Sequence, residues 1–201
     1  MKGAWDERYN VPEFIFGTAP NVFLTQQAHQ LGGGQRVLCV ADGEGRNGVW
    51  LAQQGLSVLS VDSSAVAQNK AQQLAAERGV SLDFEQVDLL NWDWGTARFD
   101  AIVAIFIQFA DPAGRASMFA GMQAALKLGG LLLLQGYTPR QLEYKTGGPP
   151  YAENMYTEAL LRELLAGWEI MHMYEHDEHI SEGAHHHGMS ALIDVVARKP
   201  G

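Results

Sequence analysis

Short apolar runs alternate along the chain with segments whose apolar positions recur at helical spacing. The runs predict five buried strands, at residues 35–41, 57–61, 82–87, 101–107 and 131–134. Helical patterns fall between the runs, at residues 46–54, from Ser63 or Ser64 to Gly79, and from Asp111 to Gly129-Gly130. This alternation predicts right-handed crossovers and a mostly parallel sheet that is covered by helices on both faces.

The pattern changes after Tyr137. A Gly/Pro-rich loop at residues 145–150 leads to a helical segment at residues 157–165. Two further strands follow at residues 170–176 and 190–197, and the polar link between them contains Gly183 and Gly188, which predicts an antiparallel hairpin. The expected fold class is α/β, a Rossmann-like three-layer sandwich with a mostly parallel seven-stranded sheet that ends in this hairpin.

The chain length suits one domain with a sizeable core. We divide the 201 residues into an N-terminal cap segment (1–30), a cofactor-binding core (35–137) and a C-terminal part (138–201) with a substrate loop, a helix and the hairpin. Hydrophobic residues make up 47% and charged residues 18%, a balance typical of a globular domain.

Charge and cysteine content narrow the function classes. A net charge of −9 repels phosphate backbones and argues against nucleic acid as a partner, so a small-molecule substrate is expected. No apolar stretch is long enough to span a bilayer, and the first residues do not form an apolar signal segment. Cys39 is the single cysteine, so a cytoplasmic location without disulfides is expected, while the oligomeric state stays open.

The turn after the first predicted strand is glycine-rich and spans residues 42–48. In an open parallel sheet, ligands bind beyond the carboxyl ends of the strands, so this turn is the first candidate site. Gly43 and Gly45 remove side chains where the backbone must pass close to a ligand. Asn47 and the free N–H groups at the start of the helix offer polar contacts.

Two carboxylates follow at the ends of the next two strands. Asp62 lies about twenty residues beyond the glycines, the spacing at which a carboxylate reaches a ribose diol. Asp88 is placed to accept a hydrogen bond from an adenine amino group, with Leu89 packing on the ring. Each feature has a plainer interpretation, as a tight connection, a helix cap or a turn residue, but the three in this order favour a nucleoside-containing cofactor.

The spacing of Gly43, Gly45 and Gly48 also matches the dinucleotide fingerprint, so an NAD-type oxidoreductase is the first alternative. The chain leaves no length for a separate substrate domain, which argues against that enzyme class. The sequence of residues 126–130, LKLGG, resembles the L-K-P-G-G element of class I methyltransferases, with Leu128 at the proline position. The terminal hairpin resembles the strand pair that closes their sheet.

The whole chain resembles the small class I methyltransferases akin to the bacterial tellurite-resistance and thiopurine methyltransferases. The segments that carry the resemblance are residues 5–9 (WDERY), 16–21 (FGTAPN), 43–47 (GEGRN), Asp62, Asp88, 144–149 (YKTGGP), Glu182-Gly183, and His186 with Gly188. It implies a methyltransferase that uses S-adenosylmethionine, releases S-adenosylhomocysteine and acts on a small molecule. A non-catalytic protein that binds S-adenosylmethionine is the second alternative.

The resemblance also implies which residues hold the cofactor. Gly43, Gly45, Asp62 and Asp88 would bind it, and Arg46 and Asn47 would lie near its methionine end. The complete predicted set is Trp5, Asp42, Gly43, Gly45, Arg46, Asn47, Asp62, Ser63, Asp88, Leu89 and Ile105. The sequence departs from the family pattern in the first strand, where Cys39 replaces an acidic residue and Ala41 a glycine; Asp42 or Asp6 are candidates to replace that acid.

Methyl transfer to a soft, already anionic acceptor such as a thiolate needs no general base, whereas a hydroxyl or amine usually must lose a proton. Tyr144 is the preferred substrate-side residue, and His186 is a candidate base or substrate contact. The aromatic N-terminal residues either close over the cofactor or simply pack a terminal helix. His185 to His187 are adjacent and lack a cysteine partner, so no metal site is predicted.

Overall fold

The computed structural model describes residues 2–183 and 186–201, without the side chains of residues 2–4 and 186. Seven strands form one sheet: β1 (Arg36–Val40), β2 (Ser57–Asp62), β3 (Asp83–Gln86), β4 (Phe99–Ile105), β5 (Leu126–Tyr137), β6 (Glu169–Glu182) and β7 (His186–Arg198). Their order is β3-β2-β1-β4-β5-β7-β6. The first five strands run parallel, and β7 pairs antiparallel with both β5 and β6. The predicted fold class is therefore confirmed.

Helices cover both faces of the sheet. They are α1 (Lys2–Tyr9), α2 (Val22–Gln27), α3 (Arg46–Gln53), α4 (Ala65–Glu77), α5 (Pro112–Ala125), α6 (Gln141–Tyr144) and α7 (Glu158–Leu164). Strand β4 shows why the inner positions of a central strand, Ala101 to Ile105, are all apolar. Ala101 and Val103 face the core packed by α2 and α3, whereas Ile102 and Ala104 face the core packed by α5 and α7.

Helix α5 ends earlier than the sequence suggested. It ends at Ala125, and β5 begins at Leu126, so Gly129-Gly130 lies inside a strand. The backbone explains the difference, because Gly129 donates its N–H to Lys199 O at 3.0 Å and Gly130 O accepts from Lys199 N at 2.9 Å. Pairing with the chain beyond β7 therefore draws these glycines into the sheet.

The C-terminal hairpin is longer than predicted. The expected polar link is mostly strand, and the pairing continues to Glu182 opposite His186. Gly183 has a left-handed backbone with φ of 70°. A Cβ on it would lie 2.6 Å from Ile15 O, so only glycine lets the hairpin tip lie against the N-terminal segment.

The N-terminal segment packs on the helix that follows β2. Tyr9 and Ile15 bury their side chains against Ala67 of α4. The Ser64 hydroxyl donates to Asp6 Oδ1 at 2.6 Å and fixes α1 next to the end of β2. Within residues 2–183 and 186–201, no helix combines the length and hydrophobicity needed to cross a membrane.

Candidate functional site

A cavity of about 740 Å³ opens at the carboxyl ends of β1, β2 and β4. This volume is typical of small-molecule sites. Ten of the eleven predicted cofactor residues line it: Trp5, Asp42, Gly43, Arg46, Asn47, Asp62, Ser63, Asp88, Leu89 and Ile105. The sequence pattern therefore located the cavity, and Gly45 is the one predicted residue that is not part of its lining.

Gly45 packs away from the cavity, against α4. It is left-handed, with φ of 81°, and it precedes α3 as the N-cap residue. A Cβ there would lie 2.6 Å from the Ala71 Cβ, so this glycine allows α3 and α4 to approach each other. Gly43 meets the N-terminal segment instead, because a Cβ on it would lie 2.7 Å from the Tyr9 hydroxyl oxygen.

Ala41 occupies the position where the family pattern has glycine. Its φ of 49° is left-handed, which disfavours any residue that carries a Cβ. The same conformation explains why glycine suits this position. The alanine methyl faces the cavity and also packs on the core beneath it.

We expect Ala41→Gly to raise the free energy of unfolding by about 0.5–1 kcal/mol, because relief of the left-handed strain exceeds the entropy that glycine adds to the unfolded chain. Urea denaturation measures the change. Ala97→Gly is the matched control, since Ala97 has the same φ of 49° but is exposed. If Ala41→Gly destabilises the protein while Ala97→Gly stabilises it, packing of the Ala41 methyl outweighs the strain.

Asp62 ties the glycine-rich turn to the end of β2. Its Oδ2 accepts from Gly43 N at 2.9 Å, and its Oδ1 accepts from Ser64 N at 2.8 Å. Burial raises the pKa of this carboxyl, and the backbone N–H bonds oppose that rise. Ser64, whose hydroxyl accepts from Ala67 N, caps α4, so Asp62 does not act as the side-chain cap of that helix.

Asp42 is the second acidic group at the turn. Its Oδ2 accepts from the Ser60 hydroxyl at 2.7 Å, and its Oδ1 accepts from Gly48 N at 3.3 Å. Burial raises the pKa of Asp42 to about 7, although both hydrogen bonds act to lower it. Of the two candidates for the missing acid, Asp42 lines the cavity, whereas Asp6 bonds to Ser64 and is not part of the lining.

Asp88 holds the turn after β3 while facing the cavity. Its Oδ1 accepts from Leu90 N at 3.2 Å, and its Oδ2 accepts from the Asn91 amide at 2.8 Å. Leu89 beside it is buried and lines the same wall. Asp88 is thus a turn residue, which agrees with the plainer interpretation. The same turn also places the Asp88 carboxylate and the Leu89 side chain side by side at the cavity.

Arg46 forms a buried ion pair that the sequence did not reveal. Its Nη2 donates to Glu182 Oε2 at 2.7 Å, and the two side chains are only 9% and 8% exposed. Asn21 extends the contact by donating from Nδ2 to Glu182 Oε1 at 3.1 Å and to Gln135 Oε1 at 2.7 Å. Its backbone N–H donates to Asn47 Oδ1 at 2.9 Å. The turn is therefore joined to the N-terminal segment, to β5 and to the end of β6.

Tyr144 does not reach the cavity. Its hydroxyl donates to Asp177 Oδ2 at 2.9 Å, and Arg140 pairs with the same oxygen at 2.7 Å, so the ring is held against β6. The other two tyrosines of this region, Tyr137 and Tyr151, line the cavity instead. His186 begins β7, but its side chain lies outside the described part of the structure.

The N-terminal aromatic residues both pack on each other and line the cavity. Trp5 stacks on Tyr9 with ring centroids 5.6 Å apart, and Tyr9 meets Phe16 edge-on at 6.3 Å. The Arg8 guanidinium lies over Trp5 at 5.0 Å and over Phe16 at 5.4 Å. All four residues belong to the cavity lining.

The histidines that the structure describes do not gather around one point. His176 bonds through Nε2 to Asp194 Oδ2 at 2.9 Å, and His179 meets His187 edge-on at 5.1 Å. Among the described side chains, no group of three or more histidine, cysteine or acidic residues is arranged to hold a metal ion.

Residues 37–130 match a family model described as a methyltransferase domain. No curated protein matches the chain by sequence.

Solved structures resemble the chain over most of its length. A protein described with the conversion of a disulfide bond into a thioacetal group during echinomycin biosynthesis aligns over 100% of this chain and 92% of its own, with 19% identity and a TM-score of 0.79. TehB from Haemophilus influenzae aligns over 98% and 66%, with 17% identity and a TM-score of 0.72. The magnesium protoporphyrin IX methyltransferase ChlM from Synechocystis, with SAH bound, aligns over 89% and 80%, with 21% identity and a TM-score of 0.68.

Proposed function

We propose that this chain transfers a methyl group from S-adenosylmethionine to a small-molecule acceptor, favouring a thiol or another soft nucleophile; the match of residues 37–130 to a methyltransferase-domain model supports the proposal. S-adenosylmethionine is its cofactor. The observation that carries the proposal is the cavity in which the glycine-rich turn, Asp62 and Asp88 converge. The domain match also favours methyl transfer over the NAD-type alternative.

The residues of the cavity fit the adenosine half of the cofactor. The Asp62 carboxylate is fixed by two backbone N–H groups and faces the cavity, where a ribose diol would donate to its remaining lone pairs. Asp88 would accept from the adenine amino group. Leu89 and Ile105 are apolar and buried on the same walls, which suits contact with the faces of the purine.

The methionine half would then extend along the turn toward Arg46 and Asn47. Trp5 and Tyr9 close this side with their rings, and aromatic faces attract a sulfonium. We assign the methionine ammonium to the Asp42 carboxylate, which lines the cavity at the turn, in place of the acidic residue that Cys39 replaces. Cys39 is buried in the core, and burial raises the pKa of its thiol.

The remaining wall is aromatic and suits an apolar acceptor. It is formed by Phe106, Phe109, Tyr137 and Tyr151. Phe106 has a left-handed backbone with φ of 55°, and its ring lies 4.8 Å from that of Tyr137. A strained non-glycine residue at a cavity wall is typical of a side chain held for contact with a ligand.

Among the side chains that the structure describes on this aromatic wall, none is a ready proton acceptor. Burial raises the pKa of Tyr137 and Glu182 raises it further, so the side chain remains a neutral phenol at neutral pH. Both ends of the Gln108 amide bond to the backbone of Tyr137, because Nε2 donates to Tyr137 O and Oε1 accepts from Tyr137 N. An acceptor that arrives as an anion, such as a thiolate, needs no base, and this is why we favour a soft nucleophile.

At 19% identity, this chain shares its fold with the protein described with the conversion of a disulfide bond into a thioacetal group. The sulfur chemistry named for that protein agrees with the sulfur acceptor proposed for this chain. In the proposed reaction the acceptor attacks the methyl carbon in line with the breaking carbon–sulfur bond. The cofactor supplies a methyl group on a cationic sulfur, and the electron pair of the broken bond stays on that sulfur. The chain contributes position and exclusion of water.

Calorimetry with S-adenosylmethionine, S-adenosylhomocysteine and NAD tests the cofactor, and mass spectrometry of a panel of thiols, amines, phenols and chalcogenide anions tests the transfer. We expect both adenosyl ligands to bind, NAD not to bind, and thiols to gain one methyl group. Binding without transfer to any member of the panel would favour the non-catalytic alternative. Absence of binding to both adenosyl ligands would overturn the proposal.

A further inference from the structure

A chain of hydrogen-bonded polar side chains runs from the outer strand β6, across β7 and β5, to the start of α3. Successive members are joined at distances between 2.6 and 3.1 Å, and they are His176, Asp194, Gln135, Asn21, Glu182 and Arg46. Among these described side chains, Arg46 alone lines the cavity. Any effect of the other members on a ligand must therefore pass through the turn that carries Arg46.

The Asp194 carboxylate fixes the direction of the first amide in this chain. A carboxylate only accepts hydrogen bonds, so Gln135 must turn Nε2 toward Asp194 Oδ1, which it reaches at 2.6 Å. The Gln135 Oε1 then faces the other way and accepts from Asn21 Nδ2 at 2.7 Å. The orientation of Gln135, and with it the acceptor offered to Asn21, thus follows from the acid on β7.

Asn21 passes this orientation on to the ion pair at the turn. The second hydrogen of its Nδ2 goes to Glu182 Oε1 at 3.1 Å, while its Oδ1 accepts from Leu24 N at the start of α2. The other Glu182 oxygen, Oε2, accepts from Arg46 Nη2 at 2.7 Å. A reversed Asn21 amide would point Oδ1 at the Glu182 carboxylate and would leave Leu24 N without this acceptor.

Burial makes this arrangement decisive. Asn21, Gln135 and Asp194 are 2%, 3% and 7% exposed, and at such positions a hydrogen bond is strong and an unpaired polar group is costly. The backbone of Asn21 also donates to Asn47 Oδ1 at 2.9 Å. Asn47 follows Arg46 in α3 and lines the cavity, so both neighbouring residues of the turn are held from the Asn21 side.

We infer that Asp194 is a positioning residue for the ligand site, which acts through Gln135 and Asn21 to hold the Glu182–Arg46 pair at the cavity. The inference rests on the proposed function and extends it to a strand whose acid lies outside the cavity lining. His176, on the opposite side of Asp194, bonds to Oδ2 and not to the oxygen that orients Gln135. It therefore contributes to stability without setting the direction of the amides.

A double-mutant cycle tests whether Asp194 and Gln135 act in series. Calorimetry measures the Kd of S-adenosylmethionine and S-adenosylhomocysteine for the unchanged chain, Asp194→Leu, Gln135→Leu and the double variant, and urea denaturation measures their stability. We expect each single substitution to weaken both ligands about fivefold, in the range of interaction energies for residues of one hydrogen-bond network. The double variant should weaken them no further than the stronger single variant.

His176→Leu is the matched control, because it removes the other hydrogen bond of Asp194. It should lower the free energy of unfolding and leave both Kd values within about twofold, since the lost bond lies on the side away from Gln135. Asp194→Asn serves where the leucine variant does not fold. It keeps the shape of the side chain but can also present an N–H group to Gln135, so the amide direction is no longer fixed and affinity should fall by an intermediate amount.

Unchanged affinity in Asp194→Leu, or in Asp194→Asn where the leucine variant does not fold, would overturn the inference and assign Asp194 to stability alone. Equal losses of affinity in Asp194→Leu and His176→Leu would do the same, and additive losses in the double variant would contradict action in series. If the unchanged chain binds neither ligand, the proposed function itself fails and the inference falls with it.

Discussion

Asp62→Ala is expected to weaken binding of S-adenosylmethionine by about 1–3 kcal/mol, or roughly 5- to 150-fold in Kd. The variant removes the acceptor proposed for the ribose hydroxyls, which would stay buried and poorly paired. It also removes the oxygen that accepts from Gly43 N, so the glycine-rich turn loses its bond to the end of β2. Isothermal calorimetry at neutral pH measures the loss, and circular dichroism confirms that the variant is folded.

Ser64→Ala separates these effects from a role in helix α4. The Ser64 hydroxyl caps α4 and bonds to Asp6, but it lies outside the cavity lining. We expect this variant to lower the free energy of unfolding by about 1 kcal/mol, the usual cost of a lost cap, with little change in Kd. Unchanged affinity in Asp62→Ala would remove Asp62 from the cofactor site, and an equal loss in both variants would assign its effect to local structure.

The stability of the ligand-free protein is expected to fall as the pH rises from about 4 to 7, in part because of Asp42. Burial raises the pKa of this carboxyl from an ordinary 3.8 to about 7 in the folded chain. The folded state therefore holds the proton more tightly, and the stabilisation is complete below the lower pKa and lost by the upper one. Full linkage would amount to about 4 kcal/mol; because Asp42 also faces the open cavity, we expect about 2 kcal/mol.

Urea denaturation at pH 4.5, 6 and 8 measures this dependence in the unchanged chain and in Asp42→Asn. The pKa of Asp62 is also raised, so the contribution of Asp42 is the difference between the two pH profiles. Ser60→Ala is the control of opposite sign, since it deletes a hydrogen bond that favours the ionised carboxylate and should steepen the dependence. Parallel profiles for Asp42→Asn and the unchanged chain would show that Asp42 titrates near its ordinary value in the folded protein.

The sequence predicted the parts of the site that depend on local order along the chain. The glycine-rich turn, Asp62 and Asp88 each follow a predicted strand directly, in a polar or glycine-rich connection. Parallel strands bring those ends to one edge of the sheet. Most of the ten predicted residues that line the cavity follow strand ends for this reason, whereas Trp5 of α1 was predicted from the resemblance. Whether they bind the cofactor as assigned stays a prediction that the Asp62 variant tests.

Residues that act through distant partners were not predictable in this way. The contact between Arg46 and Glu182 spans 136 positions, and nothing near either residue indicates the other. Tyr144 was chosen because it follows β5 near the ligand end of the sheet, but a single turn of helix directs it to Asp177. Gly45 was assigned to the cofactor, although its missing side chain serves the approach of α4. In each case tertiary packing, which the local pattern does not encode, decided the outcome.

The strand order gives the C-terminal hairpin a consequence for biosynthesis. Strand β7 lies between β5 and β6, so β6 and Glu182 cannot take their places until residues 186–198 have left the ribosome. Every predicted cofactor residue has emerged by then, yet Arg46 still lacks its ion-pair partner and Asn21 one of its acceptors. The nascent chain therefore completes its ligand site only after β7 has been synthesised, and a ribosome-bound chain stalled before β7 should not retain S-adenosylmethionine.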